Sequence, residues 1–282
     1  MKTQDAQSFR PWMVLSLSLL ATALLGSWLY PASRSVWNEL DEATFRLLNG
    51  SLTSLQDVPG WTAMWAFTNI RLFDVVALIL MTSFMWTPGV TFPKAEIPAG
   101  TIRFVVLLLF LLAVREGFHE VVSLYAWSRP GPSLVYEPCV RLSELFPRLP
   151  TKDFSHDSFP GDHAAVALLW AGFTLTTIRN RWTPLVILVT VFLMLPRLIG
   201  GAHSLSDDLV GGGFVTLLTL AFVAGTPLLR IVSDRVSVWV EPVIDRVLRM
   251  WPLGGHNVAD STSAEPCQHD SSVAEHEQRP AA

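Results

Sequence analysis

The chain has 282 residues, half of them hydrophobic and only 16% charged, with a net charge of -4 and a mean hydropathy of +0.39. That balance excludes an ordinary soluble domain and points to a polytopic membrane protein. The mildly acidic total also argues against a general nucleic-acid binder, which needs a basic face.

A bilayer core takes about 20 apolar residues per helix. In chain order, stretches near 11–30, 66–86, 102–122, 164–178, 183–199 and 209–229 approach that length, the second carrying Arg71 and Asp74 near its start. The first follows Lys2 and Arg10, yet its apolar run from Trp12 to Tyr30 is longer than the roughly 7 to 15 residues of a secretory signal, so it reads as an uncut anchor. The expected fold is therefore all-α: a polytopic bundle of six transmembrane helices.

Between the spans, 31–65 reads as an outside loop whose amphipathic stretch Val36 to Leu48 lies along the surface. The loop from about 123 to 162 holds Pro130, Pro132, Pro138, Pro147, Pro150 and Pro160 and should be mostly irregular. Loops of that length in a compact protein are usually functional. After the last span, Val, Ile and Leu alternate with Arg, Asp and Glu as in an interfacial helix, and the chain from Gly254 is polar and Ser-rich, the composition of disorder. The expected division is a six-span domain at 1–235 with catalytic loops at 123–163 and 196–208, an interfacial helix at 236–253, and a disordered cytoplasmic tail at 254–282.

Trp28, Trp61, Trp65, Trp86, Trp127 and Trp182 stand at helix ends, as in an interface belt. Six spans put both termini on one side, and Lys2, Arg10, Lys94, Arg103, Arg179, Arg181, Arg230 and Arg235 mark that side as cytoplasmic. Cys139 and Cys267 then fall on opposite faces and cannot pair within one chain.

Two polar clusters interrupt this apolar chain: "HDSFPGDH" at 156–163 and "PRLIGGAHSLSDDLVG" at 196–211. If His203 opens a helix, Asp207 lies one turn below it, where a carboxylate can bond one ring nitrogen and leave the other nucleophilic. Two further crossings bring His163 to the side of His203, and "SRPGP" with Arg129 is already there. Singly, each residue has a plainer explanation: a helix-start pair, a satisfied interface histidine, ordinary interfacial arginines. Two His, two Arg and an Asp on one face together suit phosphoryl transfer without a metal. Guanidinium groups neutralise the phosphate oxygens, one imidazole attacks, and the other protonates the leaving oxygen.

These segments resemble the motifs of the type-two phosphatidic acid phosphatase superfamily. Those motifs are Lys, six residues, Arg-Pro; Pro-Ser-Gly-His; and Ser-Arg, five residues, His, three residues, Asp. Here they read Arg129-Pro130, Pro160-Gly161-Asp162-His163, and Pro196-Arg197 followed by His203 and Asp207. The resemblance implies that His203 is the nucleophile, Asp207 its orienter and His163 the acid for the leaving group. Arg129, Arg197, Gly161 and Asp162 would surround the substrate phosphate, with no metal and no other cofactor. The chain departs from the family at Val122, where the motif lysine would stand, at Gly161-Asp162 and at Pro196.

The stretches "PTKDFSHDSFPGDH", "TNIRLFD", "RLSELF" and "PRLIGGAH" are similar to the branch that phosphorylates lipid A at its 1-phosphate. That likeness implies undecaprenyl diphosphate as donor, lipid A as acceptor and a phosphohistidine between them. It also implies a multi-pass protein of the bacterial inner membrane, among membrane lipids, with the helix-end site facing the periplasm. Asp162 is then expected to favour a lipid phosphate over water as acceptor. A small regulatory membrane protein would find Arg230 to Trp251 and the tail accessible. The alternatives are a lipid phosphate hydrolase sharing every catalytic residue, and a six-span transporter or scaffold that only binds lipid heads, for which mid-span charges would be expected.

Overall fold

The computed structural model describes residues 9–177 and 181–250. Ten helices follow one another: α1 (Pro11–Leu29), α2 (Pro31–Ser54), α3 (Trp61–Thr68), α4 (Leu72–Trp86), α5 (Ile97–Leu124), α6 (Leu142–Leu145), α7 (Asp162–Thr177), α8 (Thr183–Gly200), α9 (Asp207–Ala224) and α10 (Leu228–Met250). There is no strand among the described residues, only an isolated antiparallel bridge between Ile70 and Thr151. Proline at the first or second position starts α1, α2, α5 and α8, where its missing N–H would have had no partner.

Among the described residues four helices are long and apolar enough to cross a membrane: α1, α5 with the turn before it (Lys94–Leu124), α8 and α9. Of the six expected spans, α7 has 16 residues and α4 has 15. The stretch at 66–86 is divided because Asn69 and Ile70 leave the helix. The Asn69 carbonyl accepts from Lys152 N–H at 3.0 Å, and Ile70 pairs with Thr151.

The expected outside loop at 31–65 is instead mostly helical. The amphipathic stretch lies within α2, which packs on α1 and α8 and buries Asp41, Phe45, Asn49 and Leu52. Trp28 and Trp65 are not belt residues: they are 0% and 4% exposed. Trp28 stacks on Phe159 at 4.3 Å between ring centroids, which ties the end of α1 to the loop leading into α7. That loop is irregular as expected, with one helical turn at α6 and one at Pro132–Leu134. The helix placed at 236–253 begins at Leu228 and lies against α5. The tail at 254–282, with Cys267, and Lys2 at the other end lie outside the described residues; Cys139 is a free thiol.

α9 opens and closes with π-helical turns, Asp207–Gly212 and Leu220–Ala224. Such wider turns are frequent at functional sites. The first has no side chains where it meets the loop before α7: a Cβ on Gly211 would stand 2.7 Å from the Pro160 Cβ and 2.8 Å from its Cα. Backbone cannot move aside as a flexible side chain can. Gly211→Ala should therefore destabilise the fold by about 1–3 kcal/mol, read as a lower midpoint of thermal unfolding in detergent. Gly50→Ala, in a helix with nothing within 4 Å of its would-be Cβ, should instead stabilise by about 0.5–1 kcal/mol.

Candidate active site

The C-terminal end of α8 sets the geometry. Gly201 adopts φ +79°, the left-handed conformation that ends many helices, and a Cβ there would also meet Phe45 Cε2 at 2.7 Å and Ser133 Cβ at 2.8 Å. The Arg197 carbonyl accepts the N–H groups of Gly201, Ala202 and His203 at 3.1, 3.0 and 3.3 Å. The chain thus turns back over the helix end and delivers His203 beside the N-terminus of α7. The His163 and His203 ring centroids are 6.5 Å apart, so the two distant motifs do converge.

His203 is 5% exposed. Its Nδ1 is 2.8 Å from the Ser158 carbonyl oxygen, to which it donates, and its Nε2 has no hydrogen-bond partner. The expected bond from Asp207 to this ring is not formed. His203 sits in the turn before α9 rather than on it, so helical spacing does not apply. Asp207 Oδ2 accepts the Ser204 N–H at 2.7 Å, and its Oδ1 accepts Arg129 Nε at 2.9 Å and Nη2 at 2.7 Å.

Arg129, expected at the phosphate, is committed to protein acceptors. Besides Asp207 it donates to Asp41 Oδ2 at 3.0 Å and to the Ser204 and Ser206 hydroxyls. Burial would weaken its hold on the proton, but Asp207 and Asp41 outweigh that and raise its pKa above the ordinary arginine value. Asp41, only 2% exposed, also accepts the Ser206 N–H and hydroxyl, each at 2.7 Å. Gly161 likewise donates its N–H to the Asp207 carbonyl at 2.9 Å rather than leaving it for a ligand. Its missing side chain is required, because a Cβ would collide with the Asp208 carboxylate.

Arg197 and His163 lie together beside Asp74 and Asp162. Arg197 Nη1 donates to the Asn69 carbonyl at 2.8 Å and to its Oδ1 at 3.1 Å. Nη2 lies 3.4 Å from Asp74 Oδ1 and 3.2 Å from His163 Nε2. His163 stands between two carboxylates, with Nδ1 2.6 Å from Asp162 Oδ1 and Nε2 3.1 Å from Asp74 Oδ1. Asp162 Oδ1 is also 3.6 Å from His203 Nε2. A cavity of about 270 Å³ is lined by the polar Asp74, Asp162, His163 and Arg197 together with apolar Phe73, Met81, Leu112 and Leu193. A polar end joined to an apolar wall suits a lipid with a charged head.

Sequence reasoning missed Asp41, Asn69 and Asp74 as site residues. Asp74 had a signal, a charge at the start of an apolar stretch. Asp41 had none, being one of several acidic residues on an amphipathic helix.

The PAP2 superfamily model matches residues 104–228. A lipid A 1-diphosphate synthase of Escherichia coli (strain K12) is 32% identical over 234 residues, covering 82% of this chain and 92% of that protein. The chain belongs to the PAP2 superfamily. No solved structure matches it.

Two predictions follow from the charges. Burial favours a neutral His203 ring, but Asp162, then Asp208 and Asp207, outweigh it and raise its pKa. An imidazole that attacks phosphorus must be neutral, so an activity that depends on attack by His203 should fall as pH is lowered through that raised value. Asp162→Asn should move the fall to lower pH, read from a kcat/KM profile in buffer cleared of divalent cations. Asp41→Ala leaves part of a buried ion pair uncompensated and should cost about 3–5 kcal/mol, measured by denaturant unfolding in micelles.

Proposed function

We propose that the protein moves the distal phosphate of undecaprenyl diphosphate to the 1-phosphate of lipid A through a phosphohistidine on His203. The observation that carries this reading is the His203 ring itself: buried, held at Nδ1 by a main-chain carbonyl, and with Nε2 unpaired across from a second imidazole. The Escherichia coli relative, a lipid A 1-diphosphate synthase, supports lipid A as the acceptor; undecaprenyl diphosphate as donor rests on the resemblance of the motif segments.

In this mechanism Nε2 attacks the distal phosphorus, and the bond from that phosphorus to the bridging oxygen breaks. His163 gives its proton to the bridging oxygen, so undecaprenyl phosphate leaves. Arg197, with Nη2 beside His163, holds the phosphoryl oxygens, while Arg129 and Asp207 hold the loops. An oxygen of the lipid A 1-phosphate then attacks the phosphohistidine, and the N–P bond breaks to give the diphosphate and free His203. The cavity is at the small end of the roughly 300–1,000 Å³ of ligand sites, room for part of one lipid at a time. A covalent intermediate lets donor and acceptor take turns.

The reading places six spans in the bacterial inner membrane, α4 and α7 joining the four longer helices, within a catalytic domain at 1–235. The site then faces the periplasm and both termini the cytoplasm.

Purified protein given distally labelled undecaprenyl diphosphate and lipid A should produce labelled lipid A diphosphate. His203→Ala should abolish both transfer and protein labelling, and His163→Ala should slow transfer about 10²–10⁴-fold. Free labelled phosphate in the presence of acceptor would make the protein a hydrolase. Full turnover by His203→Ala would end the enzyme reading.

A further inference from the structure

Asp162 stands where the superfamily motif has glycine, and its carboxylate lies among the imidazoles. One ligand atom each from Asp162, His163 and His203 falls within 4.8 Å of the others. The second observation is independent of that clustering: His203, 5% exposed, aims an unpartnered Nε2 at Asp162 Oδ1 from 3.6 Å. A buried polar atom without a partner is destabilising unless something binds it. Its other nitrogen donates to a backbone carbonyl, the outer contact that orients a metal-binding imidazole through the opposite nitrogen. Asp74, 3.1 Å from His163 and 3.4 Å from Arg197, offsets the positive charge of that arginine.

We propose that Asp162, His163 and His203 form a binding site for a divalent transition-metal cation of the zinc class, and that the bound cation inhibits phosphoryl transfer. Two imidazoles and a carboxylate suit Zn²⁺, with positions left for water; magnesium and calcium prefer all-oxygen shells. A cation on Nε2 occupies the lone pair that would attack phosphorus. The inhibition rests on the phosphohistidine reading above; the binding does not.

The test uses full-length protein without an affinity tag, in detergent and without lipid substrate. It is dialysed against buffered Zn²⁺, and bound metal is counted for wild type, Asp162→Asn and His203→Ala. Cys267 and the tail histidines bind cations equally in all three, so the difference is read. Wild type should hold one Zn²⁺ per chain more than either variant, with affinity about tenfold or more above that of Asp162→Asn. Its X-ray absorption should show imidazole scattering, and Mg²⁺ should not displace it. Asp162→Asn, altered at a side chain 40% exposed, keeps the test informative if His203→Ala misfolds.

Equal zinc content in wild type and Asp162→Asn overturns the site. Loss of protein labelling from the donor on adding zinc, restored by chelator, supports inhibition; labelling unchanged by saturating zinc overturns it. If zinc binds as described but no labelling occurs in metal-free buffer, the site stands and the transfer reading falls.

Discussion

The guanidinium of Arg129, held between the carboxylates of Asp41 and Asp207, is the interaction on which the rest of the arrangement depends. Removing three charges from water costs several kcal/mol per ion, and attraction offsets that only where the remaining donors and acceptors are satisfied. They are: Ser206 serves Asp41, Ser204 serves Asp207, and both hydroxyls accept from Arg129. The cluster joins the long loop to positions 88 residues earlier and 78 residues later. Its contribution is selection of one loop arrangement among many, since a shifted loop would strand a buried charge.

From that hub, position passes to the reacting ring through the main chain. The Arg129 carbonyl accepts both the N–H and the hydroxyl of Ser158, at 2.9 and 3.0 Å, and the Ser158 carbonyl accepts from His203 Nδ1. Asp207 therefore reaches His203 at second hand, through Arg129 and Ser158, while its own oxygens keep the turn and the guanidinium in place. A carbonyl fixes the tautomer as a carboxylate would, with less charge to stabilise an imidazolium. The nearer negative charge is Asp162, on the Nε2 side of the ring.

How much of this was legible follows from what each signal measures. Length and hydropathy reveal helices that are apolar all round, so α1, α5, α8 and α9 were readable. α2 was taken for a loop with a surface stretch because its polar residues were read as facing water, whereas Asp41 and Asn49 point inward to partners that only the fold supplies. The spacing of Arg197, His203 and Asp207 picked out a segment that the fold brings beside His163, but the role drawn from it assumed a helix that begins at His203. Gly201 ends α8 with a left-handed turn, and the ring lands between helices. Ser158 and Asn69 act largely through backbone oxygens, which every residue has, and no sequence pattern distinguishes them.

Asp162 gives the site its particular character. Carboxylate and nitrogen alternate along Asp74, His163, Asp162 and His203, so each acid lies between groups that bind protons. A proton, a metal cation and a phosphoryl group all compete for the same lone pair on His203 Nε2. Asp162 assists the first two by charge and opposes the third, because an anionic phosphate must enter the ground its carboxylate occupies. Its side chain is 40% exposed and can swing toward water, while the glycine of the superfamily motif presents no such barrier. On the proposed reading, a lipid phosphate displaces the carboxylate with binding energy from its chain in the apolar cavity and from its oxygens on Arg197, and a small anion has only the second.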